Sequence, residues 1–124
     1  MTEFTTTFEL ACAPSDAWTA LEKLQTDHAA DLTSPGHWWL PGFDATGTQI
    51  DVDEGRRLTV RKDEWPCADT TIVITFEHAG TGSRITVVQS GFDEAFVEAG
   101  GDEFWKVADM IAASLQRFFE DATS

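Results

Sequence analysis

The stretch from Thr71 to Phe119 constrains the fold most, because its pattern predicts two alternating strands followed by one long amphipathic helix. In the first strand every second residue is apolar, and the second strand repeats this pattern with a glutamine near its end. The two inward faces consist of Ile72, Ile74, Phe76, Ile85, Val87 and Gln89. The glycine-rich segment 79–83 predicts a hairpin loop between the strands, since glycine tolerates the positive φ angles of tight reversals.

Helical spacing after the second strand predicts a helix that covers the sheet. Its apolar stripe is formed by Phe104, Val107, Ala108, Ile111, Leu115 and Phe118. Most charged residues of this segment lie off the stripe, as expected for a helix with one buried face. We therefore expect a curved sheet with one covering helix and a pocket between the two layers.

The rest of the chain adds a strand, a helix and further antiparallel strands. Alternation of Phe4, Phe8 and Leu10 with polar residues predicts an amino-terminal strand. A helix is expected to begin at Pro14, where the missing N–H would be unpaired in any case. Its predicted buried stripe is Ala17, Trp18, Leu21 and Leu24. The segment 26–47 contains two Pro-Gly pairs and predicts a short helical turn and a short strand.

A second hairpin is predicted over residues 48–64, with its turn at Glu54-Gly55. Ile50 and Val52 are expected to face inward on its first strand, and Leu58 and Val60 on its second. The element order is then strand, helix, several antiparallel strands, long helix. This order indicates an α+β fold, and 124 residues are most simply one domain spanning 1–124.

Charge excludes two classes of partner. A formal net charge of −14 makes the surface repel nucleic acid phosphates and anionic lipid heads, so we expect neither nucleic acid nor membrane as a partner. The one basic cluster, formed by Arg56, Arg57, Arg61 and Lys62, holds four of the eight cationic residues. Its alternation along a predicted strand beside acids favours a solvated strand face.

Cysteine spacing and the amino-terminal segment indicate a reducing compartment. Cys12 and Cys67 lack CxxC spacing, which favours free thiols over a bridge. The amino terminus lacks the basic start and apolar core of a secretory leader, and no apolar run is long enough to span a bilayer. The expected location is therefore the cytoplasm.

Three segments carry a family resemblance: 13–21 in the first helix, 54–58 before a central strand, and 82–92 in the last strand. They resemble the Bet v 1-like, START-related superfamily, and within it the bacterial branch similar to the carboxy-terminal domain of the activator of the Hsp90 ATPase. The resemblance covers nearly the whole chain. It implies a helix-grip fold, in which a curved antiparallel sheet wraps the last helix and the space between them often receives an apolar small molecule.

Residues that would line such a ligand site come from both layers. They are Trp39, Phe43, Ile50, Val60, Trp65, Ile74, Phe76, Val87, Gln89, Trp105, Ala108 and Ile111. Ordinary core packing explains most of them equally well. Gln89 differs because a buried amide needs a hydrogen-bond partner, either the backbone, water or a ligand. The adjacent Trp38 and Trp39 should point to opposite faces of a strand, which leaves pocket rim, dimer contact and edge packing as alternatives.

Signals for catalysis and for metal binding are weak. The three histidines lack the paired spacing of a metal site, and no nucleophile or phosphate-loop motif is present. We assign no catalytic residue and no cofactor, and His78 would be the first candidate if there were proton transfer.

Three hypotheses remain open at this point. The first is a cytoplasmic protein that binds an apolar or aromatic small molecule. The second is a co-chaperone-like or other protein-partner module, either monomeric or homodimeric, since an acidic surface suits a basic partner. The third is an enzyme of the polyketide cyclase or aromatase type, because related scaffolds host all three functions.

Overall fold

The computed structural model describes residues 2–27, 36–40, 45–62, 70–92 and 102–123. They form six strands and two helices in the predicted order. The elements are β1 (Thr2–Leu10), α1 (Pro14–Asp27), β2 (His37–Leu40), β3 (Ala45–Asp53), β4 (Arg57–Lys62), β5 (Thr71–Ala79), β6 (Gly82–Phe92) and α2 (Asp102–Thr123).

All six strands belong to one curled antiparallel sheet, in the order β1-β6-β5-β4-β3-β2. The first two strands in sequence are the two edges of the sheet, because the chain crosses from β1 to β2 through α1. It then returns strand by strand to β6, which pairs with β1. The result is the helix-grip architecture expected from the sequence, with α2 packed on the inner face.

Both predicted hairpins are present. Asp53 pairs with Arg57 across the first turn, where Gly55 has a φ of 79°. The second hairpin is tighter than the sequence suggested. Ala79 pairs directly with Gly82, so the connection is reduced to Gly80 and Thr81.

The inner face of the sheet contains the predicted rows of side chains. The inward residues of β5 and β6 are all buried, and Phe4, Phe8 and Leu10 bury the inner face of β1. In α1, Ala17, Trp18 and Leu21 are buried as predicted, whereas Leu24 is half-buried. These side chains and those of α2 form a two-layer core.

Ile50 is a wrong prediction. Its side chain is 54% exposed, although alternation placed it inward together with Val52. The register of β3 against β4 shifts between Gln49 and Asp51, so Ile50 is the extra residue of a β-bulge. A bulge reverses which residues face inward beyond it, and Val52 but not Ile50 therefore packs against the core.

The buried stripe of α2 also differs from the prediction at its end. The buried residues are Ala108, Ile111, Ala112, Leu115 and Phe119. Phe119 lies four residues after Leu115 and continues the stripe, whereas Phe118 is half-buried at its border. Phe104 and Val107 belong to the helix, but their side chains lie outside the described part.

The edge strand β2 is attached to α1 through the Gln25 side chain and through a contact between two tryptophan rings. The Gln25 carbonyl oxygen accepts a hydrogen bond from the Trp39 N–H, and its amide nitrogen donates to the Trp39 carbonyl at 3.0 Å. On the inner side, the Trp38 ring packs 5.9 Å from the Trp18 ring. Trp38 is the one of the two tryptophans that packs against the core, as alternation along the strand predicts, and both side chains are half-buried.

Candidate functional site

One end of the interior between the sheet and α2 is filled by aromatic side chains, and we call it the aromatic end. Phe8 and Phe76 flank Ile85 in one cross-strand row, and Phe119 of α2 lies against both phenylalanines. Its ring centroid is 6.3 Å from that of Phe8 and 5.7 Å from that of Phe76. Trp18 of α1 adds a ring 5.3 Å from Phe76. These are ordinary separations for packed aromatic rings, so side chains fill this end of the interior.

The opposite end of the interior has a different composition. Two cross-strand rows further along, Phe4, Gln89, Ile72 and Val60 lie side by side on β1, β6, β5 and β4. We call them the Gln89 row. Above this row α2 presents Ala108, a methyl side chain, in place of the phenylalanine it presents at the aromatic end.

Gln89 is the one amide in this row, and it is bonded. Its side chain is 2% exposed, and its amide nitrogen donates to the Ala108 carbonyl at 3.0 Å. A carbonyl oxygen has two lone pairs, so Ala108 can accept this bond as well as its helical one. The backbone partner anticipated for Gln89 is therefore present. The bond fixes the separation between α2 and the sheet at this level.

Several predicted lining residues are brought together here. Val60, Ile74, Phe76, Val87, Gln89, Ala108 and Ile111 are all buried between the sheet and α2. Ile50 is not among them, since the bulge turns it outward, and Trp39 is half-buried on β2. Phe43 and Trp65 lie outside the described residues, as does the side chain of Trp105 in α2.

A groove that the sequence did not reveal lies outside the interior, at the end of the sheet that carries Phe76. It has a volume of about 610 Å³ and is open to solvent. Its lining comes from the start of α1, the β3–β4 turn and the last part of β5: Pro14, Ser15, Asp53, Gly55, Arg56, Arg57, Thr75, Phe76, Glu77 and His78. A smaller depression of about 210 Å³ lies between α1 and α2.

His78 does not line the interior, although it continues the inward row of β5. It is exposed and belongs to the groove. Relative strand length is the signal that could have revealed the groove, because β5 continues to Ala79 whereas its ladder with β4 ends at Thr75. That comparison needs the strand register, which one strand's sequence does not contain.

Neither a metal cluster nor a disulfide is found among the described residues. Within the described ranges, no three His, Cys, Asp or Glu side chains lie close enough together to hold a metal ion. The described cysteine, Cys12, has a free thiol. Neither described helix is long and apolar enough to cross a bilayer.

Solved structures with the same fold cover almost the whole chain. The Aha1 dimer from Colwellia psychrerythraea superposes with a TM-score of 0.62 at 14% identity, over 100% of both chains. XoxI from Bacillus cereus gives a TM-score of 0.69 at 13% identity, over 98% of this chain and 95% of that one. A third neighbour, TTHA0849 from Thermus thermophilus, gives 0.65 at 12% identity, over 98% and 96%.

The sequence adds a family to this likeness in fold. No curated protein matches the chain significantly. The profile of the family described as Activator of Hsp90 ATPase homolog 1-like protein matches residues 15–120, which is most of the chain. The fold and the family together support a ligand-binding or partner-binding module. The chain belongs to the Activator of Hsp90 ATPase homolog 1-like family.

Proposed function

We propose that this chain binds an apolar or aromatic small molecule between the sheet and α2, at the Gln89 row. The observation that carries the proposal is the change in the interior from a cluster of packed aromatic rings at one end to a row with one phenylalanine, two aliphatic side chains and one buried amide at the other. Ligand sites in proteins are mostly apolar, with a few polar groups that fix orientation, which is the composition of this row.

The helix supports a site at this end because two of its described buried side chains there are methyl groups. Ala108 and Ala112 face the sheet, whereas Phe119 fills the space at the aromatic end. A ligand would lie against Val60 and Val87, beside these methyl groups. From the sequence we add Trp39, Phe43, Trp65 and Trp105 to the proposed lining.

Gln89 provides the polar contact of the proposed site. One of its amide hydrogens is directed to the Ala108 carbonyl, at a nitrogen–oxygen distance of 3.0 Å. An amide has a second hydrogen and a carbonyl oxygen, which suit a hydroxyl or carbonyl group on an otherwise apolar ligand. The Gln89 row contains no cationic side chain, so the net charge of −14 disfavours an anionic ligand at this site.

The test combines native mass spectrometry with a neutral fluorescent probe. Native mass spectrometry of the purified chain, compared with its denatured mass, would detect a bound molecule as excess mass. Titration with N-phenyl-1-naphthylamine then measures binding by an uncharged aromatic, whose approach the acidic surface does not oppose. We expect saturable binding of one probe per chain, with competition by the molecule that co-purifies.

A pair of matched variants locates the probe. Ala108→Leu adds three carbons at the Gln89 row and should weaken probe binding at least about tenfold, because the added volume occupies the site. Ala113→Leu makes the same change on the exposed side of α2 and should leave binding unchanged. Equal probe affinity in a folded Ala108→Leu variant would contradict the proposed location, as would no saturable binding and no excess mass in the parent chain.

A protein-partner role is the second candidate. The family match over residues 15–120 and the likeness to an Aha1 dimer favour it. Sedimentation velocity at low and high salt tests the homodimer form of this role. A monomer at both salt concentrations and at every protein concentration would exclude a stable homodimer. The ligand proposal would be unaffected.

A further inference from the structure

The last part of β5 has a free edge on the side of β4. β5 pairs with β6 along its whole length, from Thr71 to Ala79. Its ladder with β4 reaches only as far as Thr75, opposite Arg57. One further bond follows, from the Phe76 N–H to the Arg56 carbonyl at 2.7 Å. Beyond it the chain of the β3–β4 turn leaves the sheet.

The backbone groups on this edge can be identified from strand alternation. In an antiparallel sheet, the N–H and C=O of every second residue point to the same neighbouring strand. The Phe76 N–H points towards β4, so the N–H and C=O of His78 point the same way. The Arg56 N–H donates to the Asp53 carbonyl at 2.9 Å. It therefore does not donate to the Phe76 carbonyl, as it would if the ladder continued. The edge therefore presents three backbone groups that are unpaired among the described residues: the Phe76 carbonyl, the His78 N–H and the His78 carbonyl.

The described residues place no strand against these three groups. They open into the groove of about 610 Å³, which Pro14 and Ser15 of α1 border. This volume is within the range of sites that hold small ligands. An unpaired strand edge in an open groove is the arrangement that accepts an extended peptide as an added strand.

Charge on this side of the groove favours a carboxylate. Arg56 stands level with Phe76 and has no ion-pair partner among the described residues. Arg57, in contrast, pairs with Asp51 at 3.1 Å on the outer face of the sheet. The amino terminus of α1 adds the positive end of a helix dipole beside Ser15.

The groove also has two acidic lining residues, Asp53 and Glu77, at strand positions other than those of Phe76, His78 and Arg56. Alternation places Glu77 opposite to Phe76 and His78, level with Arg84 of β6. Asp53 pairs in register with Arg57, which also belongs to the outer face. Asp16 lies in the first turn of α1 and does not line the groove.

We propose that this groove docks an extended peptide segment of a partner protein, which adds a short strand to the free edge of β5 and places a carboxylate beside Arg56. The three backbone groups of Phe76 and His78 would take up three main-chain hydrogen bonds, enough to set the register of the peptide. This site is separate from the ligand site at the Gln89 row, and each can fail without the other.

Amide hydrogen exchange in the free protein is the first part of the test. The N–H groups of Glu77 and Ala79 point towards β6 and should be protected, whereas the His78 N–H between them should exchange at least about tenfold faster. Equal protection of all three amides would show that the edge is already paired, and would overturn the proposal.

The second part is a titration of the ¹⁵N-labelled full chain with the peptide acetyl-Thr-Val-Thr-Val-Glu-amide. We expect amide shifts confined to the groove and slower exchange of the His78 N–H. A peptide N-methylated at the amides that would donate to Phe76 and His78 should bind about fivefold or more weakly. No shifts at millimolar peptide, shifts located elsewhere, or equal binding of the methylated peptide would overturn the proposal.

A matched pair of arginine variants tests the carboxylate. Arg56→Gln should weaken the peptide about fivefold, and should not change the affinity of a peptide with Gln in place of Glu. Arg61→Gln removes an exposed arginine of β4 away from the groove and should change neither affinity. If both variants weaken the Glu peptide equally, the effect is one of net charge, and Arg56 does not contact the carboxylate.

Discussion

The two ends of the interior contrast in how they are built. At the aromatic end, Phe8 and Phe76 pack against Phe119, Trp18 packs against Phe76, and short turns connect the strands. At the other end, one amide of β6 is bonded to a helix that presents methyl groups. Burial of large rings stabilises a fold more than burial of methyl groups. The contrast teaches that the largest stabilising contacts and the proposed binding contacts come from different rows of the same sheet.

The largest expected effect is at the aromatic end. Phe119→Ala should lower the free energy of unfolding by about 3 to 5 kcal/mol, because it removes a fully buried ring and leaves a cavity. Phe118→Ala is the matched control on a half-buried neighbour and should cost about 1 kcal/mol. Urea unfolding followed by tryptophan fluorescence measures both. Similar costs for the two variants would contradict the assignment of Phe119 to the core.

Two glycines of the β5–β6 hairpin, at the same end, offer a second matched pair of variants. A Cβ at Gly82 would overlap the Leu10 carbonyl oxygen, so Gly82→Ala must move backbone and should cost at least about 2 kcal/mol. Gly80 has a φ of 59° and open space around it, so Gly80→Ala should cost only about 1 kcal/mol. Thermal unfolding of the two variants ranks them. The reverse ranking would show that β1 does not approach Gly82 this closely.

At the Gln89 row, a substitution that keeps the side-chain length should have a small effect. Gln89→Met keeps the length of the side chain, and the Ala108 carbonyl keeps its helical bond, so the cost should stay below about 1.5 kcal/mol. Gln89→Ala leaves a cavity and should cost about 2 to 4 kcal/mol.

Probe titration sharpens the comparison of these two Gln89 variants. A Met variant that is stable but binds hydroxyl-bearing ligands more weakly would assign the amide to recognition. A Met variant that loses as much stability as the Ala variant would assign the amide to the fold.

Most of the sheet was predictable because alternation is local. Ile72, Ile74 and Phe76 show their buried face within one strand, and the same holds for Ile85 and Val87. The bulge at Ile50 was not predictable, because Ile50 and Val52 alternate as regularly as residues of an unbulged strand. Whether a strand holds an extra residue depends on the register with its partner.

The functional sites were less predictable than the fold. Phe118 and Phe119 are adjacent and equally apolar, so helical periodicity alone does not select the one that packs inward. The groove depends on where β4 ends relative to β5, which is a property of two paired strands. Gln89 stood out from the sequence because an amide among apolar residues needs a partner, but only the fold shows that the partner is Ala108.

The attachment of Gln25 to β2 has a consequence for solubility. An edge strand with unpaired N–H and C=O groups can recruit another chain and begin aggregation. At Trp39 the amide of Gln25 takes up both groups, as the backbone of a neighbouring strand would. The helix thereby blocks the addition of another strand at Trp39. A charged residue or a proline, which often has this role in an edge strand, is not needed in β2.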